Sequence, residues 1–108
     1  MLREFFLGFI GIHILYHAGK EPVYGIGLMN ELRRHGYNLS PGTLYPLLRR
    51  MEEAGYLRRE QRVVEGRARK YYTATAEGRR VLAEARARIE ELVEEVLAEA
   101  SPIEAAPS

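Results

Sequence analysis

The stretch SPGTLYPLLRRMEEA, residues 40–54, decides how the rest of the chain is interpreted. Ser40 is a preferred N-cap residue, and Pro41 occupies the first helical position, where its missing N–H group carries no cost. Apolar residues then recur at three- and four-residue spacing and predict one buried face: Leu44, Leu47, Leu48 and Met51. The sequence therefore predicts a short amphipathic helix.

The remaining positions of this helix carry small, hydroxylated, aromatic and guanidinium side chains: Gly42, Thr43, Tyr45, Pro46, Arg49 and Arg50. Such a set suits close approach to a phosphate backbone and to base edges in a groove. A solvated helix face without a partner explains the same residues, and this stretch alone does not decide between the two interpretations.

The preceding segment completes a recognisable pattern. Residues 23–35 predict a helix that ends at Gly36, and a turn of four residues, 36–39, separates it from Ser40. A helix, a short Gly-containing turn and a capped helix are typical of the helix-turn-helix motif. In that motif the second helix reads DNA, with its N-terminal residues nearest the bases.

A β-hairpin is predicted after this helix. Residues 56–64 and 67–73 are rich in β-branched and aromatic side chains and flank the dipeptide Glu65-Gly66. Arg67, Arg69 and Lys70 are crowded at or just after its turn. A basic hairpin beside a helix-turn-helix is the wing of a winged helix. A charged ribbon whose arginines prevent edge-to-edge association explains much of the hairpin too, but the neighbouring helices favour a wing.

Both ends of the chain predict helices with more apolar surface than one small domain buries. Residues 2–18 are apolar nearly all round and include Phe5, Phe6 and Phe9. Near the other end, a heptad stripe is formed by Leu82, Ala85, Ile89, Leu92 and Val96. We expect both helices to pair with a second copy of the chain. Folding of the C-terminal helix back onto its own domain remains an alternative.

Length and charge distribution agree with this organisation. The 108 residues leave room for one core. We predict a winged helix-turn-helix domain at residues 1–75, a C-terminal dimerisation helix at 76–100 and a flexible tail at 101–108. The net charge is +1, yet residues 33–70 hold ten basic and four acidic residues, whereas residues 77–108 hold four arginines and eight glutamates. A basic middle predicts a polyanionic partner.

Several classes of protein and site are disfavoured. The chain has no cysteine, which excludes disulfides and thiolate zinc sites. Its longest apolar run, residues 5–16, is too short for a membrane span, so we expect a cytoplasmic protein. No nucleophile–base set or glycine-rich phosphate loop is present, so we expect neither an enzyme nor a cofactor. His13 and His17 have the spacing of a paired metal site, but we interpret them as packing or interface residues and predict no metal site.

Three segments together resemble the PadR family of bacterial transcriptional regulators: Tyr24-Gly25, LSPGTLYPLLRRMEEAGYL (residues 39–57) and GRARKYYTATAEGRRVL (residues 66–82). The resemblance implies a mainly α (α+β) fold, a winged helix-turn-helix with a two-stranded β-wing and dimerisation helices at both ends. It also implies a homodimer on an inverted-repeat operator, usually as a repressor, and the short branch of the family with a single C-terminal helix.

The resemblance further implies which residues contact double-stranded DNA. On the reader helix these are Ser40, Pro41, Gly42, Thr43, Tyr45 and Arg49, and on the wing they are Arg67, Arg69 and Lys70. The chain lacks tryptophan, which some relatives use to hold planar drugs, so the resemblance identifies no small-molecule effector. The alternative function is a winged-helix module that binds an acidic protein through the same surface.

Overall fold

The computed structural model describes the backbone of residues 2–105 and the side chains of residues 3–98. Along the chain, the elements are α1 (Leu2–Lys20), β1 (Val23–Tyr24), α2 (Gly25–Arg34), α3 (Pro41–Glu53), β2 (Leu57–Val64), β3 (Arg67–Ala74) and α4 (Ala76–Ala105). Within this part of the chain, none of the helices combines the length and apolarity of a membrane span.

The hydrophobic core lies where α1, α2 and α3 meet the sheet and the start of α4. All four residues of the predicted apolar face of α3 are buried, and Leu44 and Leu48 are fully buried. Full burial of such a side chain contributes about 1.5–3 kcal/mol, so this face fixes which side of α3 points outward. The other core residues are Ile10, Ile14, Leu15, Ala18, Leu28, Leu32, Leu57, Tyr72, Ala74 and Leu82.

Glycines end both helices of the helix-turn-helix. Gly36 has a φ of 91°, a backbone conformation that residues with a side chain rarely adopt. Its N–H group donates to the Arg33 carbonyl. The next N–H group, that of Tyr37, donates to the Leu32 carbonyl at 2.9 Å. These two bonds form a Schellman cap. Gly55, with a φ of 86°, ends α3 through the same pair of bonds.

The sheet has a third strand that the sequence analysis did not predict. Val23 and Tyr24 form β1 instead of the first turn of α2, and they pair with Tyr72 and Tyr71 of β3. The strand order is β1-β3-β2. A β-branched and an aromatic residue suit a strand, and the edge of β3 satisfies their backbone groups, so tertiary pairing overrides the helical spacing of the segment.

The first and last helices are longer than predicted. Gly19 remains within α1, which continues to Lys20, because Gly19 does not adopt the positive φ that ends a helix. At the other end, α4 continues to Ala105, five residues into the predicted tail. The rest of that tail, residues 106–108, lies outside the described residues.

The side chain of Thr75 caps α4 and attaches this helix to the turn that follows α3. The Thr75 hydroxyl accepts a hydrogen bond from the Gly78 N–H group at 3.0 Å and donates one to the Gly55 carbonyl at 2.6 Å. The Thr75 N–H group donates to the Tyr56 carbonyl at 3.0 Å. A Cβ atom on Gly78 would overlap that same carbonyl oxygen. The start of α4 therefore holds the C-terminal end of α3 in place.

Candidate nucleic-acid interface

The outward face of α3 carries most of the residues expected at DNA. Because Leu44, Leu47, Leu48 and Met51 point into the core, the opposite side of the helix is left at the surface. Five of the six reader-helix residues are exposed and Thr43 is half-buried: Ser40, Pro41, Gly42, Tyr45 and Arg49 form the exposed set.

The N-cap of α3 differs in detail from the prediction. Ser40 occupies the cap position, and its carbonyl accepts hydrogen bonds from the N–H groups of Thr43 and Leu44, both at 3.0 Å. Its hydroxyl does not cap the helix but contacts the Thr43 hydroxyl at 3.4 Å. The side-chain cap was therefore a wrong prediction. An uncapped first turn at the positive end of the helix dipole suits an anion such as a phosphate.

Two glycines beside this surface have different surroundings. A Cβ atom on Gly42 would meet only the Ser40 Oγ atom, at 3.7 Å, which is ordinary van der Waals distance. A Cβ atom on Gly25 would lie 2.6 Å from the Cζ atom of Tyr45, because the tyrosine ring packs on the first turn of α2. The absence of a side chain at Gly25 therefore allows α2 and α3 to pack together, whereas the packing does not require a glycine at position 42.

Tyr45 is therefore partly a packing residue and partly a surface residue. Its ring rests on Gly25, and 40% of the residue remains exposed. Part of the ring is therefore committed to the contact between α2 and α3, and the remainder is available to a partner. The sequence analysis did not give Gly25 a structural role, although the Tyr24-Gly25 pair that it quoted contains this residue.

The predicted hairpin is confirmed and turns in two residues. Glu65 and Gly66 have φ values of 53° and 77°, and Val64 pairs with Arg67 across the turn. Positive φ at both central positions defines the type I′ turn, which matches the twist of the flanking strands. The hairpin formed by β2 and β3 is the wing.

The cations of the wing lie on two faces. Successive strand side chains alternate, so Arg67 and Arg69 share one face, and Arg62 joins them because it pairs with Arg69. Lys70 lies on the opposite face beside Gln61. The three predicted wing residues therefore do not form a single patch.

Aromatic rings support the first of these faces. The Arg69 guanidinium lies 4.7 Å from the centroid of the Tyr24 ring, and that of Arg62 lies 5.2 Å from the centroid of Tyr71. Stacking of this kind restricts a long side chain while its charge stays at the surface. A hydrogen bond with the Tyr71 side chain also raises the pKa of Arg69.

The second face adjoins α3. Arg59 pairs across the ladder with the buried Tyr72 and forms an ion pair with Glu52 of α3 at 3.5 Å. Burial raises the pKa of the Tyr72 hydroxyl, and the guanidiniums of Arg59 and Arg49 lie near enough to oppose that shift. Arg59 and Lys70, together with Gln61, line a groove of about 410 Å³.

Arg59 is therefore a candidate that the sequence analysis missed. The alternation of side chains along the strands could have identified it. Arg59 pairs with the buried Tyr72 of β3, so its side chain lies on the same face of the sheet, which is the face that approaches α3.

The residues expected at a dimer interface divide into two groups. Phe5, Phe6 and Phe9 on α1 are 58%, 49% and 45% exposed. On α4, the exposed members of the heptad stripe are Ile89, Leu92 and Val96. Ala85 is half-buried and Leu82 is buried in its own chain, because the first turns of α4 pack against the core. The first part of the stripe therefore packs within its own chain, whereas the later part is exposed.

Comparison with known proteins agrees with the architecture. The model of the transcriptional regulator PadR-like family matches residues 14–84. The transcriptional regulator Rv3488 of Mycobacterium tuberculosis is 54% identical over 96 residues, which cover 89% of this chain and 90% of the relative.

Two solved structures extend the similarity to three dimensions. A PadR-like transcription factor from Bacteroides fragilis superimposes with a TM-score of 0.77 at 32% identity, covering 89% of this chain and 94% of the other. A PadR family regulator from Eggerthella lenta gives a TM-score of 0.76 at 38% identity, covering 89% and 85%. The chain therefore belongs to the PadR-like family of transcriptional regulators.

Proposed function

We propose that two copies of this chain pair through α1 and α4 and bind an inverted-repeat operator in double-stranded DNA as a repressor. The observation that carries this proposal is the outward face of α3, where an uncapped first turn and a glycine not required by packing share the exposed side of the helix with Arg49. Family membership supports transcriptional regulation over catalysis, and repression by occlusion of the promoter is part of the proposal. A regulator of this kind acts on the chromosome, which places it in the cytoplasm.

The reader helix would enter the major groove with its first turn foremost. There Gly42 allows the sugar–phosphate backbone to approach. Arg49 lies about two turns further along the same side of the helix and reaches a phosphate or a guanine edge. Arg59 and Lys70 hold the adjacent backbone from the face of the wing that adjoins α3. Arg67 and Arg69, on the other face and nearer the tip, contact the flanking DNA.

The shape of the chain supports pairing. Its radius of gyration is 16.7 Å, and its extents are 63 × 27 × 24 Å. A compact chain of this length has a radius of gyration of about 13 Å. The difference reflects α4, which extends well beyond the core while it exposes Leu92, Val93 and Val96 at 45–50%. An extended helix with an uncovered apolar stripe is stabilised when a second copy covers it.

The test is binding of the purified chain to labelled DNA from its own upstream region, by fluorescence anisotropy at several salt concentrations. Each phosphate contact adds about 0.9 to the slope of log affinity against log salt, so a steep decline is expected. Arg49→Ala should weaken binding, whereas Arg80→Ala removes the same charge from the second turn of α4 and should leave binding unchanged. Equal affinity for unrelated duplex and for a generic polyanion would instead indicate a module for an acidic protein partner.

A further inference from the structure

We propose that His13, His17 and His35, together with Glu31, form a binding site for one divalent transition-metal ion of the zinc class. The sequence analysis predicted no metal site because His13 and His17 had no further ligand beside them. The fold supplies that ligand from α2 and its C-terminal cap, which lie against α1. The site is separate from the proposed DNA surface, and its test requires no DNA.

The three imidazoles already lie close enough for one ion. Each offers a ring nitrogen within 4.8 Å of the corresponding nitrogens of the other two. Around a tetrahedral zinc ion, with bonds of about 2.0–2.1 Å, ligand nitrogens stand about 3.4 Å apart. The rings must therefore approach by about 1.4 Å at most, which rotation about their side-chain bonds supplies without a backbone change.

The backbone arrangement suits a site of this type. His13 and His17 lie one turn apart on α1, so their side chains leave the same face of the helix. His35 caps α2, and its ring lies 4.6 Å from that of His13 and 6.1 Å from that of His17. Because two ligands come from one rigid helix and the third from a neighbouring element, the ligand positions are largely preorganised.

His17 provides the observation that packing alone does not explain. Its Nε2 atom is buried, and among the residues described by the structure it has no hydrogen-bond partner. Buried polar atoms are nearly always satisfied, so an orphaned imidazole nitrogen that faces other imidazoles indicates a missing partner. A metal ion accepts the lone pair that this nitrogen offers when the ring is neutral.

Glu31 supplies the remaining oxygen donor. One of its carboxylate oxygens lies 3.3 Å from the Nε2 atom of His35 and 3.9 Å from that of His17. The other oxygen contacts Arg34 at 3.2 Å, which holds the carboxylate in position. Three histidines and one carboxylate match the nitrogen and oxygen donors that zinc accepts in a tetrahedral site.

An ion has a route to this cluster. A cavity of about 370 Å³ opens beside it and is lined by all three histidines together with Phe9, Ile12 and Tyr37 among others. The largely apolar residues around the converging nitrogen atoms limit the access of solvent to the site. The cavity also touches Ile89 of α4, so the site lies next to the face expected to pair with a second copy.

The experiment is titration of chelator-treated protein with zinc chloride in an isothermal calorimeter. We expect one ion per chain. His17→Gln, His35→Gln and Glu31→Gln should each weaken binding by about a hundredfold or more, since even outer partners of a metal site contribute about ten- to a hundredfold. Tyr16→Phe alters a neighbouring aromatic residue of α1 and should keep the wild-type affinity. Retention of that affinity in His17→Gln would overturn the proposal.

A second measurement needs no variant and so does not depend on whether a variant folds. The chain contains three histidines in all, and each belongs to this cluster. In an NMR titration of the wild-type protein with zinc chloride, the ring signals of all three should therefore shift together and saturate at one equivalent. Signals that remain in place, or a single histidine that shifts alone, would contradict a shared site.

Discussion

Replacing Ile89 and Leu92 together by alanine should separate the proposed dimer without unfolding the protomer. These side chains are 41% and 49% exposed in the single chain, and both belong to the uncovered part of the heptad stripe. Alanine has the highest helix propensity, so α4 should persist. What is lost is the apolar surface that a second copy would cover.

The size of the effect follows from this exposure. Complete burial of a leucine or isoleucine side chain is worth about 1.5–3 kcal/mol, and roughly half of that remains to be gained here, or about 1 kcal/mol for each side chain. Two residues on two chains give about 4 kcal/mol, which corresponds to about a thousandfold increase in the dissociation constant of the dimer.

Sedimentation equilibrium over a range of protein concentrations measures that constant. The matched control is a double replacement of Glu90 and Glu94 by alanine, which alters exposed positions of the same helix outside the stripe and should change the constant by less than about tenfold. A wild-type chain that is monomeric at working concentrations would refute the reasoning. So would a dimer that tolerates the loss of Ile89 and Leu92.

Four further substitutions separate folding from DNA binding. Gly42→Ala should leave the melting temperature unchanged or higher, because packing does not need this glycine, yet weaken operator binding by about tenfold; equal affinity would mean that DNA does not approach there. Gly78→Ala should cost about 1–3 kcal/mol in urea unfolding, because its methyl group would overlap the Tyr56 carbonyl; a neutral result would contradict the close packing of α4 against the backbone of Tyr56. Thr75→Ala should cost about 1–2 kcal/mol in the same assay through loss of the helix cap, and a change of only a few tenths would contradict the cap. Lys70→Ala should reduce the salt slope of DNA binding by about 1 on every sequence, and an unchanged slope would remove this lysine from the interface.

Local signals were sufficient for most of the architecture. The buried face of α3 follows from four apolar residues at helical spacing, the helix ends follow from Gly36 and Gly55, and the hairpin follows from Glu65-Gly66. In each case the physical cause lies within a few residues of its effect, so sequence alone reveals it. The same holds for the exposed residues at the start of α3.

Features created by distant parts of the chain were not predictable in this way. β1 forms because it pairs with the edge of β3, which lies some fifty residues later in the chain, and no local sequence pattern predicts that pairing. The ring of Tyr45 rests on Gly25, and His35 joins His13 and His17, only after α1, α2 and α3 have packed together. Which part of the heptad stripe is buried in its own chain likewise depends on where the core ends, and the spacing of apolar residues in the sequence does not specify that point.

Selection of bound fragments from a random DNA pool by the purified wild-type chain tests the central claim most directly, because it examines pairing and recognition together. We expect enriched sequences with two inverted half-sites whose centres lie about one helical turn (roughly 34 Å) apart, or a multiple of that distance. Enrichment of a single unpaired half-site, or no enrichment over the starting pool, would contradict the claim.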